Sequence, residues 1–220
     1  MLARLTHIRN WIFDLDNTLY PARINFFSQV DQRITDFIAG RLALDAVAAR
    51  RLQKNYFYTR GTTLAGLIAE HNVDPHDYLG FVHDVDMDVL DHDASLVAAI
   101  ARLPGRKLIF TNGDVVYAQK ILARLGLGDS FEAIHDIHAT NYVPKPEPSV
   151  YDGLCATHAI NPRESLFVED MARNLKPAKA IGMTTVWLDN GSEQHIDEDR
   201  SFIDFTTNDL GKWLDEIWEE

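Results

Sequence analysis

The chain has 220 residues, a formal net charge of −12 at pH 7 and a single cysteine. This length is enough for one sizeable hydrophobic core with a small inserted module. The acidic balance and the lack of a local basic patch argue against a nucleic-acid partner. One cysteine cannot form an internal disulfide, so we expect a reducing compartment and a cytoplasmic protein. No apolar stretch approaches the roughly 20 residues of a membrane span, so we expect no membrane partner.

The first apolar run, residues 11–13, is followed by two aspartates, Asp14 and Asp16, and by a turn that includes Pro21. This pattern is typical of a short buried strand. Carboxylates two residues apart on a strand point to the same side, where they repel each other unless a cation lies between them. Mg²⁺ prefers one or two carboxylates with waters and phosphate oxygens. A solvated pair of strand-end aspartates is the alternative, and this segment alone does not decide between the two.

From about residue 24 to residue 90, apolar side chains recur at helical spacing, and no strand is apparent. From residue 94 onward, helices alternate with short apolar strands, which we predict at 108–111, 133–134, 166–169 and 185–188. The predicted helices lie at 115–125, 149–158 and 174–181, with a closing helix at 210–218. This alternation predicts a parallel sheet with helices on both faces, whose sites lie at the carboxyl ends of the strands.

Two segments beyond the first strand carry groups that suit a phosphate. Thr111 ends a predicted strand, and its hydroxyl and the backbone N–H groups of Asn112 and Gly113 could hold phosphate oxygens. Lys145 lies between two prolines, which restrict the backbone and would make it a fixed cation on a phosphate or on Asp14. A plain strand end and a solvated lysine are the alternatives when each segment is taken alone.

The strand predicted at 166–169 ends in Glu169 and Asp170, and Asn174 follows four residues later. This second acidic strand end is available to complete a metal shell. A polar strand terminus is again the alternative. The order of the four segments makes the pattern specific: strand–DxDxT, strand–TNG, Lys-Pro and strand–ED.

In this order and rough spacing, the chain resembles the haloacid dehalogenase superfamily of phosphohydrolases over nearly its whole length. The resemblance implies that Asp14 is the nucleophile and that Asp16 is the general acid and base. It also implies that Thr111 binds phosphate and that Lys145 stabilises the nucleophile and the phosphate. Asp14, Asp16 and Asp170 would hold the cofactor, Mg²⁺.

Two residues depart from, or extend, this implied metal shell. Asn174 stands where many members of the superfamily have a second aspartate, which leaves direct and water-mediated support open. Glu169 is expected to act through a water. Asp16 also selects the reaction, because the dehalogenases of the superfamily lack an acid at this position and need no metal. The resemblance therefore implies phosphate chemistry rather than cleavage of a carbon–halogen bond.

The resemblance also implies a division of the chain. Residues 1–20 and 91–220 would form the catalytic core, a Rossmann-like parallel sheet with helices on both faces. Residues 21–90 would form an inserted all-helical cap of four or five helices. Such a cap closes over the site and excludes water from the reacting groups.

One segment of the expected cap, residues 56–64, carries candidate substrate-binding side chains. Tyr58 could stack on a base, Arg60 could pair with an anion or a carbonyl, and Thr62 opens a helix with free N–H donors. A helix end followed by a threonine N-cap is the alternative. Together with residues 14–21 and 83–87, the segment resembles the pyrimidine 5′-nucleotidase branch of the superfamily.

We therefore expect a magnesium-dependent phosphomonoesterase that works through a phospho-aspartate and acts on a pyrimidine nucleoside 5′-monophosphate. The open alternatives are a phosphatase of another small metabolite such as phosphoglycolate or a sugar phosphate, a phosphomutase, and a non-catalytic regulator of the same fold. The expected partner is a small phosphorylated metabolite, and the expected oligomeric state is a monomer or a homodimer.

Overall fold

The computed structural model describes residues 2–191 and 199–217, and its centre is a parallel β-sheet. The strands are β1 (Asn10–Phe13), β2 (Arg106–Phe110), β3 (Ala133–His135), β4 (Ser165–Glu169), β5 (Thr184–Leu188) and β6 (Phe205–Thr207). They lie in the order β3-β2-β1-β4-β5-β6, and every neighbouring pair is parallel. Strand β6 was not predicted, because it is a three-residue edge strand whose side chains are at most half-buried and show no apolar run.

Helices lie between the strands, close to the predicted positions. They are α1 (Leu2–Leu5), α2 (Phe27–Leu42), α3 (Ala46–Arg60), α4 (Thr63–His71), α5 (Pro75–Val82), α6 (Ala94–Ala101), α7 (Val115–Leu125), α8 (Pro148–His158), α9 (Ala172–Ala180) and α10 (Leu210–Glu216). The predicted closing helix corresponds to α10, and its last predicted residue, Trp218, lies outside the described residues. Within the described part of the chain, no helix has the length and apolarity needed to cross a bilayer.

Strand β1 lies at the centre of the sheet, and all four of its side chains are buried. Trp11 and Phe13 pack into one apolar cluster, and Ile12 packs into a second cluster on the opposite face. Successive side chains of a strand alternate between faces, so a central strand that is covered on both faces needs a continuous apolar run. This packing explains the run that precedes Asp14.

The register of the sheet brings the polar strand ends to one edge. Phe13 of β1 lies opposite Ile109 of β2 and Val168 of β4. The residues that follow these strands, including Asp14 and Asp170, therefore meet at the carboxyl edge of the sheet, as expected for an α/β fold.

Helices α2–α5 lie between β1 and β2, within residues 21–90, which we call the insert. Strands are absent from this segment, all of which is described. The insert has its own apolar cluster, which includes Ile38, Tyr56 and Leu67. Phe26 and Val30 instead belong to the larger cluster of the core, which also contains Trp11 and Phe13. The first part of the insert therefore packs against the core on that face of the sheet.

Two glycines in neighbouring helices of the insert provide a test of its packing. A Cβ atom at Gly66 in α4 would lie 2.2 Å from Cγ of Tyr56, whereas a Cβ atom at Gly80 in α5 would meet nothing within 4 Å. Gly66→Ala is expected to lower the free energy of unfolding by about 1–3 kcal/mol through overpacking. Gly80→Ala is expected to raise it by up to about 1 kcal/mol, since alanine is the better helix former. Urea denaturation measures both changes, and effects of the same sign would contradict the packing of α4 against α3.

Candidate active site

A buried lysine joins two acidic strand ends. The Nζ atom of Lys145 donates hydrogen bonds to Oδ1 of Asp14 at 2.7 Å, to Oε2 of Glu169 at 2.7 Å and to the carbonyl oxygen of Phe110 at 2.8 Å. These bonds use all three ammonium protons. Burial alone would lower the pKa of Lys145, but the carboxylates of Asp14 and Glu169 raise it above its usual value. Lys145 is therefore a fixed cation at the carboxyl edge of the sheet.

The residues that follow β2 hold this lysine and shape the loop beside it. Oδ1 of Asn112 accepts the backbone N–H of Lys145 at 2.9 Å, and its Nδ2 atom donates to the carbonyl oxygen of Lys145 at 3.3 Å. The N–H group of Gly113 donates to Oγ1 of Thr111 at 3.0 Å. Thr111, Asn112 and Gly113 all line the cavity described below. Sequence patterns predicted a phosphate role for these residues, and they did not reveal the clamp that Asn112 forms on Lys145.

Three buried carboxylates lie beside the lysine. Asp14, Glu169 and Asp170 can each offer an oxygen within 4.8 Å of the other two. Burial and the negative charge of Glu169 raise the pKa of Asp14, although Lys145 acts to lower it. The single positive charge of Lys145 cannot neutralise three carboxylates. A bound divalent cation would supply the two further positive charges.

A buried amide oxygen extends the set of candidate metal ligands. Oδ1 of Asn174 is buried and has no hydrogen-bond partner among the described residues. Buried polar atoms are almost always paired, so this oxygen is suited to a metal, a water or a substrate group. The oxygen-rich donor set fits Mg²⁺. Glu169 belongs to the carboxylate cluster itself, and it also bonds Lys145 and the N–H group of Met171, at 3.2 Å.

Asp16 has a different environment from the one its spacing predicts. Oδ1 of Asp16 accepts a hydrogen bond from the hydroxyl of Tyr20 at 2.6 Å and another from the hydroxyl of Tyr117 at 2.8 Å. Burial raises the pKa of Asp16, and the two hydroxyls act against that rise. The Asp16 side chain is not a member of the carboxylate cluster found among the described residues. Asp16 lies in the turn that follows β1, and it lines the same cavity as Asp14. Its place in a metal shell stays a prediction.

These groups line one cavity of about 570 Å³ between the sheet edge and the insert. The core contributes the side chains described above and Arg173. The insert contributes polar side chains that include Asp31, Gln53, Lys54, Tyr58, Thr62 and His83. The structure therefore brings together every core residue that the motifs predicted.

The three residues predicted on the insert have different positions. Tyr58 and Thr62 line the cavity, and Oγ1 of Thr62 also accepts the N–H group of Ala65 at 3.2 Å as the N-cap of α4. Arg60 is not among the lining residues, and its guanidinium pairs with Glu70 at 3.0 Å. Residues two apart on a helix point in directions that differ by roughly 200°, so Tyr58 and Arg60 cannot face the same cavity. The substrate role of Arg60 stays a prediction, and its ion pair with Glu70 does not support it.

Two contacts between insert and core were not predicted. Arg173 of α9 donates to the carbonyl oxygens of Phe57 at 3.3 Å and Gly61 at 3.2 Å, and its guanidinium lies 4.2 Å from the centre of the Phe57 ring. His83 of the insert bonds Asp114 of the core, with 2.5 Å between Nδ1 and Oδ2. The partners are at least 31 residues apart in the chain, so only the folded chain reveals these contacts.

The sequence model of the haloacid dehalogenase-like hydrolases matches residues 8–182, well over half of the chain. The chain therefore belongs to the haloacid dehalogenase-like hydrolase family. This finding confirms the resemblance that was inferred from the four motifs.

Several curated proteins are similar in sequence. Phosphate metabolism protein 8 of Saccharomyces cerevisiae is 26% identical over 191 residues, which is 79% of this chain and 59% of that protein. Glyceraldehyde 3-phosphate phosphatase of Pyrococcus furiosus is 28% identical over 114 residues, 51% of this chain and 47% of that protein. Enolase-phosphatase E1 of Shewanella frigidimarina is 27% identical over 135 residues, 60% of this chain and 55% of that protein. The matched region thus spans about half of each relative's length.

Solved structures share the fold over nearly the whole chain. A HAD phosphatase from Thermococcus onnurineus has a TM-score of 0.63 at 19% identity and covers 97% of this chain and 99% of its own. An L-2-haloacid dehalogenase from Xanthobacter autotrophicus has a TM-score of 0.55 at 20% identity, with 96% and 98% covered. At these identities the likeness concerns the fold alone, and it confirms the predicted α/β class.

The carboxylate cluster predicts a thermal response to Mg²⁺. A ligand that binds only the folded state at 100 times its Kd stabilises that state by about 2.7 kcal/mol, so Mg²⁺ is expected to raise the Tm. Asp170→Asn removes one charge of the cluster and is expected to diminish this rise. Asp152→Asn, which changes an exposed aspartate of α8, is the matched control and is expected to keep it. Differential scanning fluorimetry with and without Mg²⁺ measures the effect, and an equal rise in both variants would contradict the assigned site.

Proposed function

We propose that this hydrolase is a magnesium-dependent phosphomonoesterase that works through a phospho-aspartate. The observation that carries the proposal is the position of Asp14, whose Oδ1 atom lies 2.7 Å from the buried ammonium of Lys145 at the floor of a cavity. Asp16 lines the same cavity and supplies a second carboxyl group. A nucleophile and an acid in one cavity are what phosphoryl transfer through an enzyme intermediate requires.

In the first step, a carboxylate oxygen of Asp14 attacks phosphorus while the bond to the leaving oxygen breaks. Lys145 favours the ionised form of Asp14 and orients its carboxylate, and Asp16 gives its proton to the leaving oxygen. Thr111, Asn112 and Gly113, which line the cavity, would hold phosphate oxygens. Mg²⁺, held by Asp14 and Asp170 with Glu169 and Asn174 beside them, would supply positive charge against the phosphate oxygens.

In the second step, Asp16 takes a proton from the water that attacks the phospho-aspartate, and inorganic phosphate leaves. Two phosphatases among the similar proteins support a phosphate ester as substrate. The dehalogenase of similar fold does not argue for carbon–halogen chemistry here, because Asp16 suits the proton transfers of phosphate ester hydrolysis.

We further propose that residues 21–90 act as a cap over a core of residues 1–20 and 91–220. The support is the separate apolar cluster of the insert and the cavity enclosed between insert and core. Arg173 and the His83–Asp114 pair tie the two parts together. A Cβ atom at Gly61, whose φ is +84°, would lie 2.9 Å from the side chain of Pro144. The insert therefore closely approaches the loop that carries Lys145.

The catalytic roles predict distinct losses for two isosteric substitutions. Asp14→Asn is expected to abolish phosphate release, because an amide is a poor nucleophile. Asp16→Asn is expected to lower turnover by about 10²–10⁴-fold through the loss of proton transfer. Phosphate release in the presence of Mg²⁺ measures both variants, with circular dichroism as the check on folding. Near-normal turnover by Asp14→Asn would contradict the mechanism, and isomer formation in place of phosphate release would indicate a phosphomutase.

For the substrate we propose a pyrimidine nucleoside 5′-monophosphate. The support is the resemblance of residues 14–21 and 56–64 to the pyrimidine 5′-nucleotidase branch and the position of Tyr58 in the cavity wall. Tyr58 is half exposed and offers a ring face to a base. A cavity of about 570 Å³ is in the usual range for a small-molecule site. A cytoplasmic location, which the single cysteine supports, and a monomeric or homodimeric state remain parts of this proposal.

This substrate class predicts higher kcat/KM for UMP and CMP than for AMP and GMP. Tyr58→Ala is expected to cost about 1–3 kcal/mol of nucleotide binding, seen as a higher KM, with little effect on glycerol phosphate. Arg60→Ala is the matched control, because this side chain pairs with Glu70 and does not line the cavity. Steady-state kinetics on these esters is the measurement. A preference for phosphoglycolate, a sugar phosphate or purine nucleotides would replace this substrate and leave the phosphatase mechanism intact.

A further inference from the structure

The hydroxyls of Tyr20 and Tyr117 donate to the same oxygen of Asp16, and both tyrosine side chains are buried. Tyr20 follows Asp16 in the turn after β1, whereas Tyr117 comes from α7. We propose that Tyr20 and Tyr117 are positioning residues that fix Asp16, so that its Oδ2 atom carries the proton exchanged with the leaving group. This inference rests on the proposed phosphatase function and assigns the atom at which the proton moves.

The argument follows from the hydrogen-bonding capacity of a carboxyl group. Each carboxylate oxygen offers about two acceptor sites, and the two tyrosines occupy both sites of Oδ1. A proton on Oδ1 would displace one of these donors, so the proton of the acid form belongs on Oδ2. The terminal torsion of an aspartate is otherwise broad, and two bonds from separate elements restrict it. Asp16 is thereby held with one oxygen anchored and the other free to exchange a proton.

Ring packing holds both tyrosines in place independently of their hydroxyls. The Tyr117 ring stacks on His83 at 4.0 Å between centroids and lies parallel to Phe26 at 6.3 Å. The Tyr20 ring meets the same Phe26 edge-on at 5.2 Å. Tyrosine-to-phenylalanine substitutions therefore remove the hydrogen bonds to Asp16 and keep the packing. Because His83 belongs to the insert, the insert also braces the residue that positions the acid.

The proton matters most for a poor leaving group. As Asp14 forms its bond to phosphorus, the electron pair of the breaking P–O bond moves to the leaving oxygen, which takes the proton from Oδ2. The products are an alcohol, a phospho-aspartate and the ionised Asp16. An alkoxide needs this proton, whereas p-nitrophenolate is stable enough to leave without it. A residue that acts by positioning Asp16 should therefore affect alkyl esters selectively.

The test compares two esters with Tyr20→Phe and Tyr117→Phe. For each variant we expect kcat/KM to fall about 10–100-fold on an alkyl phosphate such as glycerol phosphate and to change little on p-nitrophenyl phosphate. The ratio kcat/KM is used because it reports the steps up to formation of the phospho-aspartate, which contain the leaving group. Tyr56→Phe is the matched control, since it removes a buried tyrosine hydroxyl that bonds Glu70 and His71 within the insert. The control is expected to leave the ratio of the two esters unchanged.

A double-substitution cycle separates positioning from general architecture. In an Asp16→Asn background, adding Tyr117→Phe is expected to cause no further loss, since the tyrosine acts only through the acid. Equal losses on both esters, or losses that multiply with Asp16→Asn, would overturn the inference while the phosphatase function stands. A wild-type protein that turns over neither ester in the presence of Mg²⁺ would overturn the phosphatase function itself and this inference with it.

Discussion

The ammonium group of Lys145 is the interaction on which the arrangement of the site depends. It lies between the carboxyl groups of Asp14 and Glu169 and offsets the cost of burying two acidic groups side by side. Its third bond, to the carbonyl oxygen of Phe110, ties this charge pair to the end of β2. Asn112 then holds the backbone of Lys145 from both sides. Asp14 is thus oriented by a network that begins in the sheet and ends in the loop after β3.

The charges of this network leave room for a second cation. Three buried carboxylates lie together beside one lysine, and Asn174 lines the same cavity with an Oδ1 atom that has no hydrogen-bond partner in the described part of the chain. In many members of the superfamily an aspartate stands at the position of Asn174. An amide there keeps an oxygen for the site while adding no further negative charge. Asparagine at position 174 therefore suits a cluster in which Glu169 already contributes a buried carboxylate.

Asp14 and Asp16 are held by different means, although they are only two residues apart. Asp14 is paired with a cation, whereas Asp16 accepts bonds from two neutral hydroxyls. An ion pair favours the ionised form of Asp14, whereas neutral donors orient the carboxyl group of Asp16 while allowing it to exchange a proton. The insert contributes to the environment of Asp16, because His83 packs against Tyr117 and bonds Asp114 beside it.

The insert contributes fewer of the predicted residues than the core. Tyr58 and Thr62 line the cavity, and Arg60 does not. The core motifs follow strand ends, and the parallel register brings all such ends to the same edge of the sheet. The insert residues lie on and after a helix, where each residue turns by about 100° from the last, so neighbours in the sequence face different surroundings. Sequence spacing therefore predicted which core residues line the cavity, and it predicted the lining residues of the insert less well.

The sequence by itself determined the α/β class, the helical insert and the set of residues at the carboxyl edge, Asp14, Thr111, Lys145 and Asp170. These features follow from local patterns, namely apolar runs of strand length, helical periodicity and polar residues where a strand stops. The tertiary structure alone decided which groups each side chain meets: the two tyrosines on Asp16, Glu169 on Lys145, Arg60 on Glu70 and Arg173 on the insert. The presence of strand β6 was also apparent only from the tertiary structure, because an edge strand pairs with one neighbour and carries little apolar signal. Contacts between distant segments depend on packing and charge balance in three dimensions, and no local pattern records them.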